Sequence, residues 1–188
     1  MVNPQITNLA VTLGVMQIAR KLDFEDPTIL KSVRALYIVS NILIAIIFLV
    51  QYMNIQKRND MTTLKYVEPA SPLSGKSEPE LMTTTVKEYD MIQWQSALKS
   101  SLMGLAMMSV MHGWFKFTQP LLVQSILPVK NALETKLAMI HLFGKPATGE
   151  YKRPFKAAAS MFGGAAAEAA TDKKSVEAAE RATVKKEE

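Results

Sequence analysis

Residues 35–56 contain no charged side chain, with Lys31 and Arg34 before them and Lys57 and Arg58 after. As a helix rising about 1.5 Å per residue this run is about 33 Å long, against about 30 Å for the hydrocarbon core of a bilayer. Its middle is nearly pure Ile, Leu, Phe and Val, and Tyr37 and Tyr52 stand where an aromatic belt would lie. A soluble fold of this size would have to bury so long a helix on all faces. The pattern therefore predicts a main transmembrane span over 35–56. Asp26 followed by Pro27 is a helix start, with a carboxylate to cap free amides and a proline suited to the first turn. The long helix is expected over 27–58.

The remaining elements are less uniformly apolar. In residues 1–19, Ile6, Leu9, Leu13 and Met16 follow helical spacing among Asn, Gln and Thr, which predicts a weak membrane-embedded helix. Residues 20–34 form a charged hinge that leads into the main span. Residues 59–84 carry Pro69, Pro72, Gly75 and Pro79 and read as a loop. Thr85 with Glu88 makes a capping box, so a second long helix is expected over 86–117, with a short, Met-rich span. Gln119–Pro120 interrupts that helix and Pro128 resets the chain. From Val129 the apolar residues Ala132, Leu133, Leu137 and Ile140 repeat at helical spacing, and Gly144 can end the run. Residues 120–143 are thus expected as an amphipathic juxtamembrane region. Residues 144–188 form a basic and then low-complexity tail, whose Ala-, Lys- and Glu-rich part from Ala157 is expected to be disordered or only transiently helical. The fold class expected is an all-α membrane protein with two to three transmembrane helices, a cytosolic amphipathic helix and a disordered tail.

Composition narrows the chemistry. The chain has no cysteine and only two histidines, His112 and His141, so disulfides, thiolate metal sites and a histidine-rich metal site are not expected. No GxSxG, HExxH or Walker motif is present. The segment from Phe143 to Gly149 superficially resembles a phosphate-binding loop but lacks the GxxxxGK[ST] spacing. It reads as a helix end followed by a turn. No enzyme activity, metal or cofactor is expected. Positive charge is denser after the second span than in the loop from Lys57 to Asp90, which places the C-terminal tail in the cytosol. If residues 2–19 span, the N-terminus is then lumenal and residues 20–34 cytosolic.

RKLDFEDPTIL, NDMTTLKYVEP, TTVKEYD, TQPLLVQSILPVKNALE, IHLFGKPATGEYKRPFKA and TDKKSVEAAERA, in that order, closely resemble the fungal signal-recognition-particle-independent targeting proteins of the SND pathway. That family is also known as an inorganic phosphate transport protein of the endoplasmic reticulum. The resemblance covers nearly the whole chain. It implies an endoplasmic reticulum membrane protein that aids targeting and insertion of client membrane proteins, as an insertase or insertion chaperone next to the translocon. The partners implied are membrane lipids, client transmembrane segments, the Sec translocon, other SND components and the ribosome. The alternative is phosphate transport or a transporter-maturation role. No catalytic residue comes with the family.

Polar groups at membrane depth are costly and face a cavity or a partner. On that ground Gln17, Arg20, Asn41, Gln51, Lys99, His112 and Lys116 are candidates for a hydrophilic groove. The competing reading has Lys99 and Lys116 snorkelling to the interfaces and His112 bonding nearby backbone. Met103, Met107, Met108 and Met111 are candidates for client contact, because methionine adapts to varied apolar partners. Ordinary close packing with the interleaved Gly104, Ala106, Ser109 and Gly113 explains them equally. Lys145, Lys152, Arg153 and Lys156 can meet anionic lipid headgroups or ribosomal RNA.

Overall fold

The computed structural model of the chain describes residues 4–68 and 80–155. The elements run α1 Pro4–Ala19, α2 Pro27–Arg58, β1 Thr63–Glu68, β2 Glu80–Thr85, α3 Val86–Gly113, α4 Gln119–Glu134 and α5 Lys136–His141, with a 3-10 turn at Gly149–Tyr151. Lys156, the low-complexity tail and the Pro- and Gly-rich centre of the 59–84 segment lie outside the described residues.

Helix α2 starts where Asp26 accepts the Thr28 amide at 2.7 Å, with Pro27 filling the first turn. It ends at Asn59, whose left-handed φ of 44° lets its amide return to the Ile55 carbonyl. It is the one helix among the described residues long and apolar enough to cross a membrane. Its outward face leaves Ile38, Val39, Ile42, Leu43, Ile46 and Leu49 exposed, while Val33, Ile44, Ile47, Phe48 and Ile55 are buried. Helix α3 begins at Thr85, whose hydroxyl accepts the Glu88 amide at 3.2 Å. The Glu88 carboxylate accepts from Thr84 Oγ1 at 2.7 Å, so only half of a capping box forms.

The fold is not all-α. The ends of the 59–84 segment pair as an antiparallel hairpin, from Thr63 opposite Thr85 to Glu68 opposite Glu80. The β-branched and aromatic residues of TLKYVE and the threonines of ELMTTT suit strands, and Tyr66, Val67 and Thr84 are buried. Helix α3 also ends at Gly113, before the expected 117, because the Phe117 amide turns back to the Met111 carbonyl at 3.2 Å.

The largest departure concerns α4. The chain does not reset at Pro128; that proline lies inside α4, and Pro120 occupies its first turn. The break falls at Thr135, which turns extended (φ −59°, ψ 145°) and caps α5 through the Ala138 amide. Helix α4 does not lie across one end of the bundle. It runs beside α2 and touches α1, α3 and α5 as well. Leu121, Leu122, Ser125 and Ala132 are buried on it, and Leu121 and Leu122 join Val15, Ala19, Val33 and Met108 in one core cluster. Apolar side chains on more than one side give it neighbours on more than one side.

Directions follow from the contacts. Helix α3 returns antiparallel to α2: Trp94 Nε1 donates to the Phe48 carbonyl at 2.9 Å, and Arg34 Nε meets His112 Nε2 at 3.0 Å. Helix α4 reverses again, so that Arg58 donates to the Ile140 carbonyl at 3.0 Å and Asn54 to the His141 carbonyl at 2.7 Å. Helix α1 lies against α4 with Asn8 Nδ2 donating to Asn131 Oδ1 at 3.0 Å. The start of α1, the hairpin and residues 136–155 therefore share one end, here the head. The linkers at 20–26 and 114–118 form the opposite end, the tip. The start of α1 and the segment after α5 therefore lie at one end of the bundle rather than at opposite ends. The reason is the additional pass made by α4.

Candidate functional site

The head is held by a buried charge cluster. Asp90, in the first turns of α3, is 2% exposed. Its carboxylate accepts from Arg153 Nε at 2.6 Å and Nη2 at 2.7 Å, a bidentate pair. His141 Nε2 lies 2.7 Å from the second oxygen, and since a carboxylate only accepts, that nitrogen carries the hydrogen. Next to it Tyr89 is pushed up to about 12 by burial, and its hydroxyl oxygen accepts the Phe155 amide at 2.7 Å. Tyr66 and Phe155 flank the Tyr89 ring edge-on at 5.7 and 5.5 Å. A second polar cluster joins α1 to α4: Lys130 Nζ donates to Asn8 Oδ1 at 2.7 Å, Thr7 Oγ1 at 3.1 Å and Glu134 Oε2 at 2.5 Å.

These clusters decide which of the basic candidates are available at the surface. Arg153 is engaged with Asp90 and is not a free contact for lipid or RNA. Lys145 is half-buried, donates to the Tyr151 hydroxyl at 3.2 Å and stands 5.3 Å above that ring. Lys152 is exposed.

The groove candidates do not converge on one place. Gln17 and Arg20 are exposed at the α1 end of the tip, where Lys116 and His112 also lie. Lys116 adopts a left-handed φ of 58° and lines an open cleft of about 530 Å³ with Phe24, Met111, Phe117 and Pro120. His112 accepts from Arg34 at Nε2, which leaves Nδ1 to donate to the Phe117 carbonyl at 3.2 Å. Asn41 donates to the Tyr37 carbonyl of its own helix at 2.8 Å. Gln51 is 1% exposed in the interior, and its Nε2 has no partner among the described residues. The methionines divide as well. Met103 and Met107 are 71% and 66% exposed, whereas Met108 is buried and Met111 packs against the core formed with α4. Met108 and Met111 are thus packing residues, because the returning α4 covers that side of α3.

One continuous surface does emerge, on the outward face of α3. Gln95, Ser96, Lys99 and Ser100 are all exposed there, and the stripe continues at helical spacing into Met103 and Met107. The Trp94–Phe48 bond fixes the level: Lys99 lies about 7.5 Å further along α3. That puts it beside the middle of the charge-free run of α2. Lys99 makes no hydrogen bond or ion pair with any described residue. Of this stripe, only Lys99, Met103 and Met107 stand out by chemical type. Gln95, Ser96 and Ser100 were legible only as positions sharing a helical face with Lys99.

The fold and surface define a mostly helical bundle with a hydrogen-bonded polar head and, among the described residues, one helix long and apolar enough to cross a membrane. The chain belongs to the family described as Phosphate transport (Pho88), which matches residues 2–187. It is 51% identical over 181 residues to SRP-independent targeting protein 3 of Saccharomyces cerevisiae, covering 96% of this chain and 95% of that one. The SRP-independent targeting protein 3 homolog of Schizosaccharomyces pombe is 37% identical over 183 residues, 97% of this chain and 94% of that protein. No solved structure matches the chain. The names of both relatives describe SRP-independent targeting rather than catalysis.

Proposed function

We propose that this chain is a membrane protein of the endoplasmic reticulum that receives client transmembrane segments on the outward face of α3 and aids their insertion. The observation that carries this reading is the polar patch of Gln95, Ser96, Lys99 and Ser100 near mid-height of α2, which continues into exposed Met103 and Met107. A polar patch at that depth gives the hydrophilic flank of an arriving helix somewhere to go. It also lowers the thickness of hydrocarbon that the flank must cross. The exposed Ile, Leu and Val of α2 match lipid, as do Ile6, Leu9 and Leu13 of α1. The head carries Lys57, Arg58, Lys65, Lys87, Lys136, Lys145 and Lys152, against Arg20, Lys21, Lys31, Arg34 and Lys116 at the tip. By the positive-inside rule the head faces the cytosol, and the N-terminus and the departing tail lie on that same side. Exposed Lys152 then faces lipid headgroups or a ribosome, and the Sec translocon and other SND components are the neighbours within the membrane.

Reconstitution tests this directly. Proteoliposomes are expected to insert a model client helix well above protein-free liposomes, and equal insertion would reject the reading. The name of the matching family offers phosphate transport as a second reading. A transport path needs cations aligned through the bundle, whereas Lys99 stands alone at mid-height among the described residues. Saturable phosphate flux in the same proteoliposomes would favour that second reading.

A further inference from the structure

We infer that Lys99 is a charge-reading contact: the α3 face binds, by preference, a transmembrane helix carrying a carboxylate near its centre. This deepens the proposed function and rests on its placement of α3 in the membrane. Three observations lead to it. Lys99 is exposed on the outward face of α3, away from the core built by Met108 and the α4 leucines. It lies level with the middle of the charge-free run of α2, the depth at which the proposed membrane placement makes an ammonium costly. It also has no acceptor among the described residues, whereas Lys130, Lys145, Arg58 and Arg153 each have one or more.

An uncompensated ammonium at that depth favours whatever brings it a negative charge. The flanking groups define what fits. Ser96 and Ser100 supply hydroxyls on the same exposed side of α3, and Met103, Met107 and Gly104 continue an adaptable apolar surface toward the tip. A Cβ added at Gly104 would meet nothing within 4 Å, so the surface there is open to a neighbouring backbone. The occupant that satisfies both halves is an apolar helix with an Asp or Glu near its middle. A lipid phosphate supplies the charge but not the apolar length, and it reaches this depth only if the bilayer thins.

Site-specific photocross-linking in microsomes containing the full chain separates these possibilities. Met103→benzoylphenylalanine places the probe one turn beyond Lys99, on the same face. Model helices with a central Asp, Asn or Lys are presented in turn. Relieving part of the cost of a buried Asp is worth about tenfold, so the Asp helix should yield about ten times the adduct of the Lys helix. In the same background Lys99→Glu should invert that order, Lys99→Gln should level it, and Lys99→Arg should retain it. Equal adducts for all three helices, or a preference unchanged in Lys99→Gln, would overturn the inference; adducts to lipid alone would do the same. Insertion is scored separately. Charge-dependent adducts without insertion would sink the insertion role while leaving the contact standing. Insertion without charge dependence would do the reverse.

Discussion

At Asp90 two hydrogen bonds from Arg153 and one from His141 converge on a carboxylate that is 2% exposed. Removing one partner of such a cluster leaves an uncompensated buried charge, which costs about 3–5 kcal/mol. Asp90→Ala is accordingly expected to lower Tm strongly in detergent and to release residues 142–155 to limited proteolysis. An unchanged proteolytic pattern would show that the cluster does not hold that segment. The neighbouring Tyr89 gives a pH signature. Its pKa is raised from 10.0 to about 12, mainly by burial, so the stabilisation linked to it is complete below about pH 10 and is lost as pH rises toward 12. Spectroscopic titration should find a tyrosine titrating at about 12 that disappears in Tyr89→Phe. Asp60 acts at the other extreme, held below the usual carboxylate range by hydrogen bonds from Thr62, so its small contribution fades only in acid. None of the partners of Asp90 was legible in the sequence. His141 and Arg153 lie 51 and 63 residues away, and no local pattern encodes such a meeting.

Among the elements, the starts of α2 and α3 were written in the chain, because Asp26–Pro27 and Thr85 with Glu88 act locally on the first turn. Helix α4 was not. A proline at 128 and a threonine at 135 compete as break points, and local chemistry favours the proline. Tertiary packing decides otherwise, since burial of Leu121, Leu122 and Ala132 on both sides of Pro128 holds one helix through it. The hairpin was obscured for a similar reason: its strands flank a Pro- and Gly-rich stretch that dominates the composition. The packed position of α4 makes a prediction. Leu121→Ala should cost about 2–4 kcal/mol through the cavity it leaves, while Leu43→Ala on the outward face of α2 should cost far less in detergent. Equal effects would mean that α4 is not the central strut.

For the whole molecule, the arrangement of ends is the feature that a count of apolar runs could not supply. Residue 8 beside residue 131, and residue 90 beside residues 141 and 153, require both termini of the described chain to share the head. Cysteine labelling in this cysteine-free background checks it. Single cysteines at Gln5, Thr62 and Lys152 should react from one side of the membrane and a cysteine at Glu25 from the other. The central proposal concerns what the α3 face does. Replacing Gln95, Ser96, Lys99 and Ser100 together by Leu makes that face apolar without touching the core cluster. In proteoliposomes, with Tm held, the account predicts that client insertion falls to the level of protein-free liposomes; insertion at the wild-type rate would contradict it.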